Sequence, residues 1–397
     1  MATPEYDPTQ QANYLRQCLS HDKRPLGIFL GAGCPMSIRV PKPGGTDPLI
    51  PDIAGMTKKV DDDLKSSTLR APYELLCSHF RKDGRPAPTV EQLLSHVRWL
   101  RQVAGSDSVR GLSSDELDSV DRLVCDLLAR ACDRNLPPSG TAYHQVASWM
   151  GAIGRVSPVE VFTTNYDLLM EQALESNRVP YFDGFVGSRE TFFDLQSMEE
   201  DKLPSRWARL WKIHGSLNWH EDDGGAVRRS SEKGRRYIIY PSHLKYDESR
   251  RMPYLAMIDR LRAFLKQDSS VLVTSGFSFG DDHLNEIIIQ GLQANPTGVA
   301  FALLYGKLSK YDQIAKIALN RSNLIVLAAD GGIIGTRTYD WPRAKDPTTY
   351  GISKAVEWLD NVAKPGLKDA QFTLGDFGTF GSFIDDMLGG LSALSSP

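Results

Sequence analysis

The sequence predicts an α/β fold: a Rossmann-like, mostly parallel sheet with helices on both faces, plus a helical insertion and a helical C-terminal tail. Two observations carry that prediction. Short apolar runs at 26–30, 159–163, 271–274, 299–305 and 324–329 alternate with segments of helical period, the pattern of strand–helix–strand units that build a parallel sheet. Glycine or small polar residues follow these runs directly, and in such sheets ligands bind in the crevice beyond the carboxyl ends of the strands.

Taken in order, the run Pro25–Leu30 is a buried strand that breaks into Gly31-Ala32-Gly33. Proline and glycine from about 41 to 51 make a loop, and residues 52–135 are expected to be helical. Ser113 stands three residues before Glu116, a capping box. Leu117, Val120, Val124, Leu127, Leu128 and Ala131 then keep a helical period until Pro137-Pro138 stops it. After the strand at 159–163, Leu168 to Glu175 suits a helix. The stretch 207–219 looks extended, followed by a turn at Asp222-Asp223-Gly224-Gly225 and a return run at 237–240. Leu255, Ile258, Leu261 and Leu265 mark a helix, as do 282–292 and 310–319, and 324–329 is expected to be the last strand. The tail from Trp341 contains one apolar run, Phe383-Ile384 to Met387-Leu388, which suits an amphipathic helix docking on the body or on a partner. Residues 1–50 and 136–340 are thus expected to form one domain, interrupted by an insertion at 51–135 and followed by a tail at 341–397.

Composition narrows the function. At 41% hydrophobic and 24% charged residues the chain is an ordinary globular sequence, neither fibrous nor disordered. A net charge of −3 removes the global basic excess that tight nonspecific nucleic-acid binding needs. No apolar run approaches the roughly 20 residues of a membrane span, and the N-terminus lacks the basic start and apolar stretch of a signal peptide. A soluble, cytoplasmic protein without membrane contact is expected. The cysteines at 18, 34, 77, 125 and 132 are odd in number and form no Cys-x-x-Cys pair, which argues against a disulfide framework and a four-cysteine zinc site. Arg228, Arg229, Lys233, Arg235 and Arg236, with Glu232, make a local basic cluster whose plainest reading is a solvated hairpin tip.

Four polar motifs remain. Gly31-Ala32-Gly33 permits tight turning and close approach to a pyrophosphate, or is an ordinary strand-exit turn. In Thr163-Thr164-Asn165-Tyr166-Asp167, Asn165 can hydrogen-bond ribose hydroxyls or a water, while Asn and Asp also serve as helix caps. His214, between Ile213 and Gly215, titrates near neutral pH and suits a general base, or is a buried histidine with a backbone partner. Ser275-Gly276-Phe277-Ser278 could hold phosphate, with Asp281 or Asp282 capping the next helix and His283 nearby.

In this order the four motifs resemble the sirtuin superfamily, which runs strand, Gly-Ala-Gly, Thr-x-Asn-x-Asp, His-Gly and a Gly-Ser loop. The resemblance spans residues 26 to 280. It implies that NAD+ is the substrate and that Gly31, Ala32 and Gly33 line its pyrophosphate. Asn165, preceded by Thr164 where the family usually has Gln, would contact the nicotinamide ribose and place the attacking water. Asp167 would face the carboxamide, and His214 would be the base. Gly276, Phe277 and Ser278 would take the adenosine side, with Tyr305, Gly306 and Asp330 bordering the adenine. Arg39, in the stretch that replaces the family's Gly-Ile-Pro-Asp-Phe-Arg, would reach a phosphate.

Residues 133–397 contain no cysteine, so the zinc module of the deacylating members is missing, and the chain is most similar to the bacterial sirtuin-like NADases of antiphage defence. Within these it resembles the subunit paired with a HerA-type hexameric ATPase. That implies cleavage of NAD+ to nicotinamide and ADP-ribose, no zinc, a homo-oligomer, and nucleic acid reached only through the partner. An NAD-dependent protein deacylase is the first alternative, and the missing cysteines argue against it. A non-catalytic NAD or ADP-ribose sensor is the second, and the presence of both Asn165 and His214 argues against that.

Overall fold

A computed structural model of the chain describes residues 4–222, 226–230, 236–238, 252–346 and 353–392. Its centre is a nine-stranded sheet. In chain order the strands are β1 (Leu26–Leu30), β2 (Val159–Thr163), β3 (Tyr181–Phe182), β4 (Ala208–Lys212), β5 (Val271–Ser275), β6 (Val299–Leu303), β7 (Leu324–Leu327), β8 (Gly331–Ile334) and β9 (Arg337–Asp340). They lie side by side as β9-β8-β7-β6-β5-β1-β2-β4-β3. Every pairing from β3 to β7 is parallel. The expected mostly parallel α/β sheet is therefore what the chain forms.

Alternation along the strands makes two cores. Leu26, Ile28 and Leu30 face one side with Val159, Val161, Val271 and Val273. Phe29 faces the other with Phe162, Leu272, Ala300 and Ala302. Helices cover both faces, as a parallel sheet requires. On the first side lie α1 (Pro8–Ser20) and α6 (Ala142–Ala152), and on the second α8 (Tyr254–Leu265) and α9 (Asp282–Ala294).

Between α1 and α6 run α2 (Ile53–Ser66), α3 (Arg70–Lys82), α4 (Val90–Ala104) and α5 (Ser114–Cys132). The Ser113–Glu116 capping box opens α5, and a second, Thr89 with Gln92, opens α4. The helix after β2 is α7 (Leu169–Ser176).

Three expectations need correction. The extended stretch 207–219 is two elements: β4 ends at Lys212, and Gly215–Glu221 belongs to a separate antiparallel sheet. The sheet does not end at 324–329, because β8 and β9 add an antiparallel hairpin. Its turn, Gly335-Thr336, has φ of 55° and 68°, the left-handed pair a tight hairpin uses, yet Gly-Thr is a weak sequence signal for it. The tail also holds strands beside its helix. A hairpin of Val356–Asp360 with Lys368–Phe372 precedes α10 (Phe377–Ser392). Phe377, Phe380, Phe383 and Ile384 of α10 are buried against the body, with Phe377 edge-on to Tyr143 of α6 at 4.9 Å. Gly381 permits this contact, since a Cβ there would lie 2.6 Å from the Ala142 Cα. In the basic cluster, Arg228 pairs with Asp222 at 2.6 Å and Arg229 with Asp183 at 2.5 Å. Glu232, Lys233, Arg235 and the Arg236 side chain lie outside the described residues, as does the turn at 223–225.

A buried polar lock ties β2 to β4 and α8. Glu160 accepts from Trp211 Nε1 at 2.7 Å and from Arg260 at 2.8 and 3.0 Å. Replacing Arg260 alone leaves a carboxylate only 3% exposed without its cation. Arg260→Ala is expected to cost about 3–5 kcal/mol, measured as a lower urea midpoint.

Candidate functional site

The strand register sets the site. Leu30 pairs with Thr163 on one side and Ser275 on the other, and Thr163 pairs with Lys212. The carboxyl ends of β5, β1, β2 and β4 are therefore level, and the four motifs leave the sheet along one edge. The strand order reverses at β1 and β5, the switch point where such sheets open a crevice.

At that point the glycines have a specific task. A Cβ on Gly31 would lie 2.3 Å from the Gly276 carbonyl, and one on Gly276, at φ 63°, would lie 2.5 Å from the Cys34 nitrogen. The two turns touch backbone to backbone. Gly31 N–H donates to Ser275 (2.9 Å), Gly33 N–H to Gly276 (2.8 Å) and Cys34 N–H to Gly31 (3.1 Å). These donors are spent inside the turn, so the loop does not present the row of free N–H groups that a phosphate cradle suggests. Cys34 Sγ donates to the Ser275 carbonyl at 3.2 Å, and burial pushes its thiol well above the ordinary range.

Asn165 is anchored to this junction. Thr163 Oγ1 donates to the Leu30 carbonyl (2.9 Å) and accepts from Asn165 N–H (3.0 Å), while Asn165 Nδ2 donates to the Gly31 carbonyl at 3.1 Å. The amide bridges two strand ends. The buried Tyr143 hydroxyl lies beside it without a hydrogen bond of normal geometry. Burial first, and then the Asp167 charge, hold that phenol well above its usual range.

His214 follows β4, one strand away, and is 8% exposed. Gly215 has φ 85°, a left-handed corner that glycine takes without strain. This corner swings the chain from the parallel sheet into the antiparallel one and leaves His214 at the bend. Its Nε2 stands 3.6 Å from Asp281 Oδ2. That is charge-pair range rather than a hydrogen bond.

Several other residues have plainer surroundings. Asp167 Oδ1 accepts from Leu169 N–H at 3.1 Å, so its carboxylate holds the first N–H of α7 from the turn before it. Burial raises the Asp167 pKa, opposed by Lys212. Lys212, 2% exposed, is matched by Glu171 at 2.9 Å and by the Asp167 carbonyl. The Phe277 ring is packed between Phe29 and Phe279, leaving only its backbone at the edge. Ser278 is exposed, and its Oγ accepts from Gly280 N–H at 3.4 Å. Ala32 and Arg39 are exposed, Arg39 on a small hairpin beyond the β1 turn, and Thr164 is half-buried. Tyr305, Gly306 and Asp330 follow β6 and β7, farther along the same edge. Asp330 Oδ1 accepts from Leu308 N–H at 2.8 Å, and the tail crosses here, a Cβ on Gly375 falling 2.0 Å from the Leu304 carbonyl.

Sequence reasoning missed a cleft of about 830 Å³ between α3–α4 and the start of α9, whose lining includes His96, Trp99, Arg110, Asp281 and His283. His96 of this lining meets the buried His79 at 3.1 Å. Burial, then His79, pushes His96 down to about 4. No sequence signal joins residues 80–110 to 280–283; only packing does. Among the described residues no group of three or more His, Cys, Asp or Glu side chains is placed to hold a metal ion, and no helix is long and apolar enough to cross a membrane.

Residues 159–327 match the family model described as SIR2-like domain. The match takes in Asn165, His214 and the 276–278 loop and leaves Gly31–Gly33 outside it. Among solved structures, one described as the structural basis for the mechanism and regulation of Sir2 enzymes aligns over 80% of this chain and 92% of its own. Its identity is 11% and its TM-score 0.34. A Sir2 homologue mutant in complex with ADP-ribose aligns over 75% and 87%, with 14% identity and a TM-score of 0.29. No curated protein matches the chain.

Gly31→Ala is expected to destabilise the fold by about 3 kcal/mol through overpacking at the switch point. Gly44→Ala, at φ 82° with nothing within 4 Å, should cost only about 1 kcal/mol from backbone strain. Urea unfolding of the two variants measures the difference.

Proposed function

We propose that this chain is an NAD+ glycohydrolase, releasing nicotinamide and ADP-ribose. One observation supports the reading above others. An amide and an imidazole leave the carboxyl ends of adjacent parallel strands, β2 and β4, beside the β1–β5 switch point, within a stretch that matches the SIR2-like domain model.

The chemistry suits those groups. The bond from ribose to nicotinamide breaks with its electron pair going to the ring nitrogen, which leaves neutral, so strong acid catalysis of departure is unnecessary. Positive charge builds on the sugar carbon, as in other glycosyl transfers. Water then forms the new C–O bond and loses a proton. Asn165, held by the Gly31 carbonyl, has its Oδ1 acceptor and a second N–H to orient ribose and water. His214 takes the proton. Asp167 serves the site by fixing the start of α7 and the chain that carries Asn165.

The sirtuin-like motif order further supports a role as an NAD-depleting effector of antiphage defence in the cytoplasm. On that reading the chain is a homo-oligomer that works with a HerA-type ATPase and meets nucleic acid through it. Uncontrolled NAD+ loss would harm the host, so assembly gates the activity. Light scattering with and without such an ATPase should show a larger complex, and NAD+ loss should rise with it.

The decisive assay is liquid chromatography of nicotinamide and ADP-ribose. Asn165→Ala and His214→Ala are each expected to lower turnover by about 10²–10⁴-fold while circular dichroism stays unchanged. Near-normal release in both variants would remove the assignment. Transfer of an acyl group from a lysine peptide to ADP-ribose would favour the deacylase alternative.

A further inference from the structure

We propose that Asp281 is a positioning residue for His214, fixing the imidazole and favouring the proton it takes up. The proposal rests on His214 being the base. Its geometry can nevertheless be tested without any turnover.

Asp281 ends the loop after β5 and is the N-cap of α9. Its Oδ1 accepts from Leu284 N–H at 3.2 Å, so the helix fixes one carboxylate oxygen. The loop behind it is held by the buried Asn285, whose Nδ2 donates to the Phe279 carbonyl at 2.7 Å. The other oxygen, Oδ2, is then left 3.6 Å from His214 Nε2, with the two side chains only 15% and 10% exposed. A fixed anion at that distance, largely shielded from water, stabilises the charged imidazole. It also favours a proton on Nε2, on the side of the carboxylate. One motif thus serves two motifs: the residue that caps the helix after the Gly-Ser loop steadies the histidine of the His-Gly pair.

Other charges share this junction. Asp282 and His283 stand beside Asp281 on α9, and Asp83, Arg85, Glu91, His96 and Arg110 line the cleft across from it. On the strand side Lys212 is matched by Glu171. Asp282 already accepts from Gln313 at 2.5 Å, and Asp83 pairs with Arg85 at 3.1 Å. Asp281 stands in ion-pair range of the His214 ring, at 3.6 Å.

The test uses the full chain with ¹³C-labelled histidine. His214→Gln identifies the His214 resonance among the eight histidines. Asp281→Asn keeps a capping oxygen and removes the charge, and Asp281→Ser, also a good cap, is the second variant. The His214 titration midpoint is expected to fall by about one pH unit in both. A group with a raised midpoint is the stronger base. Removing Asp281 should therefore move the acid limb of the kcat profile to lower pH and lower its plateau by about three- to tenfold, with KM little changed. A merely structural cap would leave the His214 midpoint in place, and midpoints within about 0.2 unit of wild type overturn the proposal. If the midpoint shifts while His214→Ala still cleaves NAD+ normally, the pair stands and the assignment of His214 as the base falls.

Discussion

Two turns share one point in space, and neither can carry a side chain there. Gly31 and Gly276 lie in backbone contact at the switch point between β1 and β5, and the rest of the site takes its position from that contact. The β1 turn spends the N–H groups of Gly31 and Gly33 on the β5 turn. The carbonyl of Gly31 receives both the Cys34 N–H and the Asn165 amide, and the β5 loop runs on to Asp281, opposite His214. A bulkier residue at either glycine would push apart the two halves of the sheet on which the proposed chemistry converges.

Buried charge supports this frame at a cost in desolvation, which is met by pairing. Lys212 is almost wholly enclosed and satisfied by Glu171 and two carbonyls at the start of α7. Glu160 is enclosed and satisfied by Trp211 and Arg260. The Glu160 network joins β2 to β4, and the Lys212 network joins β4 to the segment that follows β2, so both act between the strands that deliver Asn165 and His214. An apolar core would hold the strands together as firmly, but ion pairs of fixed geometry also set how the strand ends lie relative to each other. The helical segment and the tail add walls. Residues 80–110 close a cleft against α9, and the tail passes over the ends of β6 and β7 before α10 docks on α6.

Much of the fold was legible because its strands are buried on both faces. Val159–Thr163 and Val271–Ser275 are buried along their whole length and rich in Val, Leu and Phe, and each is followed by the polar residues that matter. The capping box at Ser113 was legible because two side-chain hydrogen bonds demand that spacing. The β8–β9 hairpin was not, since four-residue edge strands with glycine and exposed polar positions carry little periodicity. The break at His214 was also hidden. Strand-like residues stand on both sides of it, and the positive φ at Gly215 turns the chain into another sheet.

The sequence by itself determined the parallel α/β architecture and nominated Asn165 and His214, because local burial patterns and residue chemistry are written along the chain. Tertiary structure alone decided which groups meet. Asp167 turned to the first N–H of α7, the Phe277 ring went into the core, and Asp281 came to the histidine from 67 positions further along the chain. The physical reason is that such contacts depend on strand order and on the close approach of two glycine turns, and neither leaves a periodic mark in the sequence.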